Sequence, residues 1–296
     1  MDELEYRPQR AGRVLQSRRT GLIALAGYAP LNPWALDVIT QVEEVADLHG
    51  MGVVILRYGT DGRSVDRAEE LLRDGIADAS VILFTQAFGS ARLKRIGDLR
   101  LPTLAFGASA PHRFVDVLTQ HEGAAVGEAV RHLVSIGCRR PAFISLPHAQ
   151  RARDPRLTAF VRAATAAGIP TSQITTMRCP DDGYTSGLGA FPSATKLLSR
   201  PERTRPDAIM AGSDRGAITA MWAVIQLGLW IPDDVKIIGA GNIDEGLQVS
   251  PQLTTIGCED VDYRPAIERL VSRILAPSLA PTSISMPWEL IRRGTA

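Results

Sequence analysis

Cysteine is scarce in this chain: 296 residues hold only Cys138, Cys179 and Cys258, widely spaced and without a Cys-x-x-Cys. An odd, scattered set argues against a disulfide framework and fits a reducing compartment. The five histidines (His49, His112, His121, His132 and His148) show no zinc spacing, and no His-Glu-x-x-His occurs. No phosphate-binding P-loop is present. No apolar run reaches the ~18 residues of a membrane span, and no basic-then-apolar leader precedes residue 20. The expectation is a cytoplasmic protein without a membrane partner. Charge of either sign is not in excess: the net value is +1, so any footprint for nucleic acid must be local.

What is present is alternation. The length suggests about two domains, with 45% hydrophobic residues, enough for large cores. Apolar strand runs at Leu22–Ala26, Val53–Leu56, Val81–Phe84 and Thr103–Phe106 alternate with helical patterns at Ala35–Leu48, Val65–Arg73 and Ala91–Ile96. Within the first helix Val38, Val42 and Val45 recur at helical spacing beside Asp37, Glu43, Glu44 and Asp47. A second set follows: helix Gly123–Ile136, strand Pro141–Ser145, helix Leu157–Ala167, strand Ile174–Met177 and helix Ser186–Leu198. Then comes PDAIMAGSDRGAITAMWAVIQLGLWIPDDVKIIGAGN, a strand (Asp207–Ala211), polar turn, helix (Ala217–Leu227) and strand (Val235–Ile238). The chain after Leu253 reads strand, helix (Ala266–Leu275), strand (Pro287–Ile291). Such alternation predicts α/β architecture with parallel sheets covered on both faces.

The start of the chain is different in kind. Residues 7–19, RPQRAGRVLQSRR, carry five arginines and no acid. A helix this short is marginal alone, and Gly12 weakens it by about 1 kcal/mol. Composition leaves two readings: a frayed basic terminus, or a segment ordered by an anionic partner.

The wording of residues 206–256, "HLVSIGCRRPAFIS" at 132–145 and the close "MPWELIRRGT" resemble the effector-binding core of the LacI/GalR family of transcriptional regulators. The resemblance implies two doubly wound, parallel-sheet subdomains of periplasmic-binding-protein type, crossed three times, with an effector cleft between them. The expected division is a basic hinge at 1–19, an N-terminal subdomain of 20–138 plus 254–276, and a C-terminal subdomain of 139–253 plus 277–296. "LEYRPQRAGRVLQ" is similar to the family's hinge helix, with Gly12 and Val14 as inserted or variant positions. There Tyr6, Arg10, Arg13 and Leu15 would meet operator DNA, the leucine as a wedge in the minor groove and the arginines on phosphates. The family's helix-turn-helix headpiece would lie ahead of residue 1. A homodimer is implied, with the helix from Ala35 as its surface.

Candidate effector residues follow from the same resemblance. Arg156 in DPRLTAF matches an arginine that grips effector hydroxyls or carboxylates with its planar fork; otherwise it is a helix-start arginine. Asp214 would accept sugar hydroxyls or cap a helix. Asn242 stands beside Gly241, where the family usually has an acid, and His121-Glu122 stand where it usually has Asp-Asn or Asp-Tyr. Both departures weaken the expectation of an ordinary hexose. From their position just after the first strand rather than from the resemblance, Tyr28 and Trp34 could stack on a ring, or equally pack a core or a dimer contact.

Enzyme readings fail on spacing. Gly239-Ala240-Gly241 follows a strand, but Asp244 stands where a dinucleotide fingerprint needs glycine or alanine. Gly107-Ala108-Ser109-Ala110-Pro111 lacks the last glycine of a nucleophile elbow. What the resemblance implies is a sensor, not an enzyme, with no cofactor, a sugar-like effector, operator DNA and a second copy as partners. The other readings are an extracytoplasmic solute-binding protein and a sensor that has lost its ligand.

Overall fold

A computed structural model describes residues 19–28, 33–58, 62–83, 90–107, 114–146, 154–180, 189–259, 262–276 and 278–296. Tyr6, Arg10, Arg13 and Leu15 lie outside the described residues, as does the side chain of Tyr28.

The chain forms two units, residues 1–119 with 262–285 and residues 120–261 with 286–296. The first holds β1 (Leu22–Tyr28), α1 (Pro33–Leu48), β2 (Gly52–Tyr58), α2 (Gly62–Arg73), β3 (Ala79–Ile82), α3 (Ser90–Asp98), β4 (Thr103–Phe106) and β5 (Val115–Gln120). After the second unit the chain returns to it as α9 (Arg264–Leu275) and β11 (Ser283–Met286). Its sheet runs β11-β5-β4-β3-β1-β2, with β1 to β5 parallel.

The second unit holds α4 (Glu122–Ser135), β6 (Pro141–Ser145), α5 (Pro155–Ala166), β7 (Thr175–Arg178), α6 (Ala190–Leu198), β8 (Ala208–Ala211) and α7 (Asp214–Gln226). It continues through β9 (Lys236–Ala240), the short α8 (Glu245–Gln248) and β10 (Thr254–Gly257), and ends with β12 (Glu289–Ile291). Its sheet runs β12-β10-β9-β8-β6-β7, and β12 is the antiparallel member. Three chain crossings join the units, as expected. They fall at 119/120, 261/262 and 285/286 rather than at 138/139, 253/254 and 276/277. The difference is physical. Helix α4 buries Val126, Val130 and Leu133 with Phe143 and Phe160 of the second unit, and β10 is hydrogen-bonded between β9 and β12.

Parallel strands bury both faces, so their sequences read as continuous apolar runs. The second unit separates the two faces residue by residue. Phe143, Ala208 and Met210 join one cluster with α4 and α5, while Ala142, Ile144, Ile209 and Ala211 join another with α6 and α7. In the first unit Val38, Val42 and Val45 of α1 are fully buried, as their spacing predicted. Strands β5 and β11 were not read from the sequence. VDVLTQ and SISM are short and mix polar with apolar residues, giving a weak strand signal.

One buried charge pair holds the returning segment to the first sheet. Asp116 on β5 and Arg273 on α9 are each 1% exposed, with 2.9 Å between Arg273 Nη1 and Asp116 Oδ2. The Thr282 N–H donates to the other carboxylate oxygen at 2.7 Å. Removing one partner of such a pair strands the other charge away from water. Asp116→Ala is expected to lower stability by about 3–5 kcal/mol in urea denaturation; a loss below about 1 kcal/mol would show that the pair does not fasten the segment.

Candidate functional site

In the second sheet the strand order reverses between β6 and β8, since β7 lies beyond β6 on one side and β9 beyond β8 on the other. Open parallel sheets hold ligands at such a reversal, beyond the carboxyl ends of the strands. The residues gathered there come from the first turns of three helices.

Arg156 is aimed by its helix start. Asp154 is the N-cap of α5 and accepts from the backbone N–H groups of Arg156 (3.0 Å) and Leu157 (3.1 Å), with Pro155 in the first turn. The guanidinium then forks onto Glu122 in the first turn of α4: Nε donates to Oε2 at 2.9 Å and Nη2 to Oε1 at 2.8 Å. Nη1 donates to the carbonyl of Gly212, just past β8. The indole of Trp288 lies against it, 4.9 Å from ring centroid to Cζ. One cation thus ties the strand-order reversal to both flanking helices. The arginine and the glutamate side chains are each 19% exposed.

Asp214, at the start of α7, is turned inward and 1% exposed. The Thr255 hydroxyl donates to Oδ1 at 2.5 Å and the Ile243 N–H to Oδ2 at 2.8 Å. The N-cap bond of α7 comes instead from Ser213, which accepts from Gly216 N–H at 3.1 Å. Gly239 makes room for the carboxylate: a Cβ there would lie 2.0 Å from Asp214 Oδ1. Burial, opposed by the two hydrogen bonds and by the charges of Arg293 and Arg156, pushes the carboxyl from its ordinary 3.8 up to about 6.

Asn242 occupies a left-handed backbone position (φ 55°). Its Nδ2 donates to the Cys258 carbonyl at 2.7 Å and its Oδ1 accepts from Arg293 Nη2 at 2.6 Å. His121 precedes α4, exposed, and makes no side-chain capping bond. Trp34 belongs to the first unit, where its Nε1 donates to the Tyr263 hydroxyl at 2.8 Å and its ring meets Phe106 edge-on at 5.5 Å.

The structure therefore groups Arg156 with Asp214 in one unit and leaves Trp34 in the aromatic packing of the other. A surface groove of about 410 Å³ on the second unit is lined by Leu157, Thr158, Val161, Arg162 and Thr176, none of them a predicted site residue. Sequence reasoning missed Glu122, Trp288, Thr255 and Arg293 as partners. Glu122 was visible only as the absence of a familiar Asp-Asn, and the others sit in segments far along the chain.

The profile of the periplasmic binding protein-like domain family matches residues 130–296, more than half of the chain. The chain belongs to that family. The LacI/GalR resemblance also holds along the whole length. The ribose operon repressor of Escherichia coli (strain K12) is 27% identical over 300 residues, spanning 99% of this chain and 88% of the repressor. Among solved structures, a LacI-family regulator from Enterococcus faecium with bound ribose superposes with a TM-score of 0.79 at 19% identity, over 93% of this chain and 98% of that one. The lac repressor dimer bound to operator and an anti-inducer gives 0.78 at 19% identity, over 99% of each. At these identities the structural likeness is one of fold. Like other members of the family, the chain has two parallel-sheet α/β units, and none of its described helices is long and apolar enough to cross a membrane.

The raised Asp214 carboxyl makes a pH prediction. Its folded-state value lies above the unfolded one, so the folded chain binds that proton more tightly. The stability it contributes is full below about pH 4 and is lost as pH rises through about 6. Ionising it in place costs on the order of 2–3 kcal/mol. In Asp214→Asn the amide keeps the Ile243 bond, and the Thr255 hydroxyl can turn toward the Ile256 carbonyl, 3.3 Å away. Urea midpoints across that pH range should fall with rising pH in wild type and stay flatter in the variant, which gains stability at neutral pH. Equal slopes for the two proteins would contradict the assignment.

Proposed function

We propose that the chain is the ligand-sensing and dimerisation core of a LacI/GalR-type transcriptional regulator, a repressor, with a sugar-like effector held at the strand-order reversal of the second unit. What carries the reading is likeness to a repressor through 99% of the chain, together with the Arg156 cluster at the position where this sheet type receives ligands. The relatives are repressors rather than enzymes, and the present reading is a cytoplasmic sensor without catalysis.

Arg156 is proposed as the effector grip and Glu122 as the group that holds its fork in one orientation, so that ligand hydroxyls meet a pre-set donor. Asp214 and Asn242 act behind it, fixing the turns after β8 and β9. His121 and Trp34, with Tyr28, remain proposals for outer contacts. An effector changes the output only through a difference in its affinity for two states of the protein. The basic segment 1–19, with Tyr6, Arg10, Arg13 and Leu15, is proposed to carry that difference to operator DNA, with binding that weakens steeply as salt rises.

A second reading has its own observation. Arg156, Asp214 and Asn242 all have partners within the protein, which also suits a sensor that no longer takes a ligand. A thermal-shift panel of sugars, nucleosides and sugar phosphates separates the two. The sensor reading expects at least one stabilising compound, with affinity reduced at least about tenfold in Arg156→Ala. No shift with any compound would leave the ligand-free reading standing.

A further inference from the structure

An arginine takes a carboxylate or a phosphate with two parallel N–H bonds along one edge of its fork. In Arg156 that edge is already in use. Nε and Nη2 face the two oxygens of Glu122 at 2.9 and 2.8 Å, Nη1 donates to the Gly212 carbonyl, and the Trp288 ring covers one face of the guanidinium. An anionic ligand would reach the fork only by displacing Glu122. At 19% exposure the displaced carboxylate would stand unpaired beside the ligand's own charge.

The other charges placed around the strand-order reversal point the same way. Asp154 is 8% exposed and Asp214 1% exposed, and the Asp214 carboxyl, at about 6, is largely ionised at neutral pH. With Glu122 they set three carboxylates against the guanidiniums of Arg156 and Arg293. A hydroxyl group meets this arrangement differently. It accepts from a guanidinium and donates to a carboxylate, so it can bond to the arginine and the glutamate together without parting them.

We propose, on the basis of the sensor reading above, that Glu122 sets the charge specificity of the site: it closes Arg156 to carboxylates and phosphates, so the effector is an uncharged polyhydroxy compound and not its phosphate ester or its acid. Holding off the wrong ligand with an internal like charge gives discrimination that attraction for the right one does not supply.

Matched compounds test this by thermal shift and calorimetry on the full chain at neutral pH and constant ionic strength. The probes are ribose, glucose, galactose and adenosine, each beside its phosphate monoester, and the three sugars beside their aldonic acids. Wild type is expected to bind at least one neutral compound, and its charged counterparts at least about tenfold more weakly. In Glu122→Gln that gap should shrink at least about tenfold, chiefly through tighter binding of the charged compound. Glu122→Asp keeps the charge and changes only the reach, so it should retain the wild-type preference even where overall affinity falls. A glutamate that only held the arginine in place would weaken both compounds alike in both variants. If Glu122→Gln does not fold, as read by circular dichroism, Glu122→Ser supplies the same loss of charge.

Three results overturn the assignment and leave the sensor standing: a phosphate or acid bound by wild type as tightly as its neutral parent, an unchanged ratio in Glu122→Gln, or a preference lost equally in Glu122→Asp. Silence of every protein toward every compound removes the sensor reading itself, and this assignment with it.

Discussion

A guanidinium held on three sides sets the geometry of the second unit's strand ends. Arg156 is oriented from behind by the Asp154 cap, forked by Glu122, covered by Trp288 and tied to the Gly212 carbonyl. These four residues come from the starts of two helices, a turn after β8 and the segment before β12. A paired, hydrogen-bonded charge at about one-fifth exposure retains its orientation, whereas an unpaired one at that depth would be driven toward water. The rigidity of the strand-order reversal follows from that pairing. So does its charge: Glu122 neutralises the arginine.

The same logic of internal satisfaction runs through the neighbouring turn. Asp214 could enter the interior only because Gly239 has no side chain and because Thr255 and the Ile243 N–H receive both of its oxygens. Asn242 bridges two further segments through Cys258 and Arg293. Polar side chains that the sequence offered as ligand contacts thus hold the turns after β8 and β9 in place.

Most of the fold was legible in the sequence because parallel strands covered on both faces are mostly apolar, and short runs such as AIMA and TLAF alternate with helical patterns. The amphipathic spacing of Val38, Val42 and Val45 was equally direct. Strand β5 was missed because VDVLTQ carries a buried acid whose partner, Arg273, lies more than a hundred residues on, and β11 because SISM is short and no residue of it is fully buried. The unit boundaries were misplaced because a helix pattern does not say which sheet it will cover. Around the candidate site, the helix start that carries Arg156 was legible from Asp-Pro-Arg. The partners of Arg156 were not, since Glu122 and Trp288 reach it only through the fold.

The central claim is that the Arg156 guanidinium stands fixed at the reversal and receives the effector there. Nitrogen-15 NMR of the arginine Nε–H groups tests it directly. A fixed, Glu122-bonded Arg156 predicts an Nε–H resonance protected from exchange, lost in Glu122→Gln and displaced on addition of ribose or another stabilising sugar. A freely exchanging resonance that no sugar moves would contradict the account.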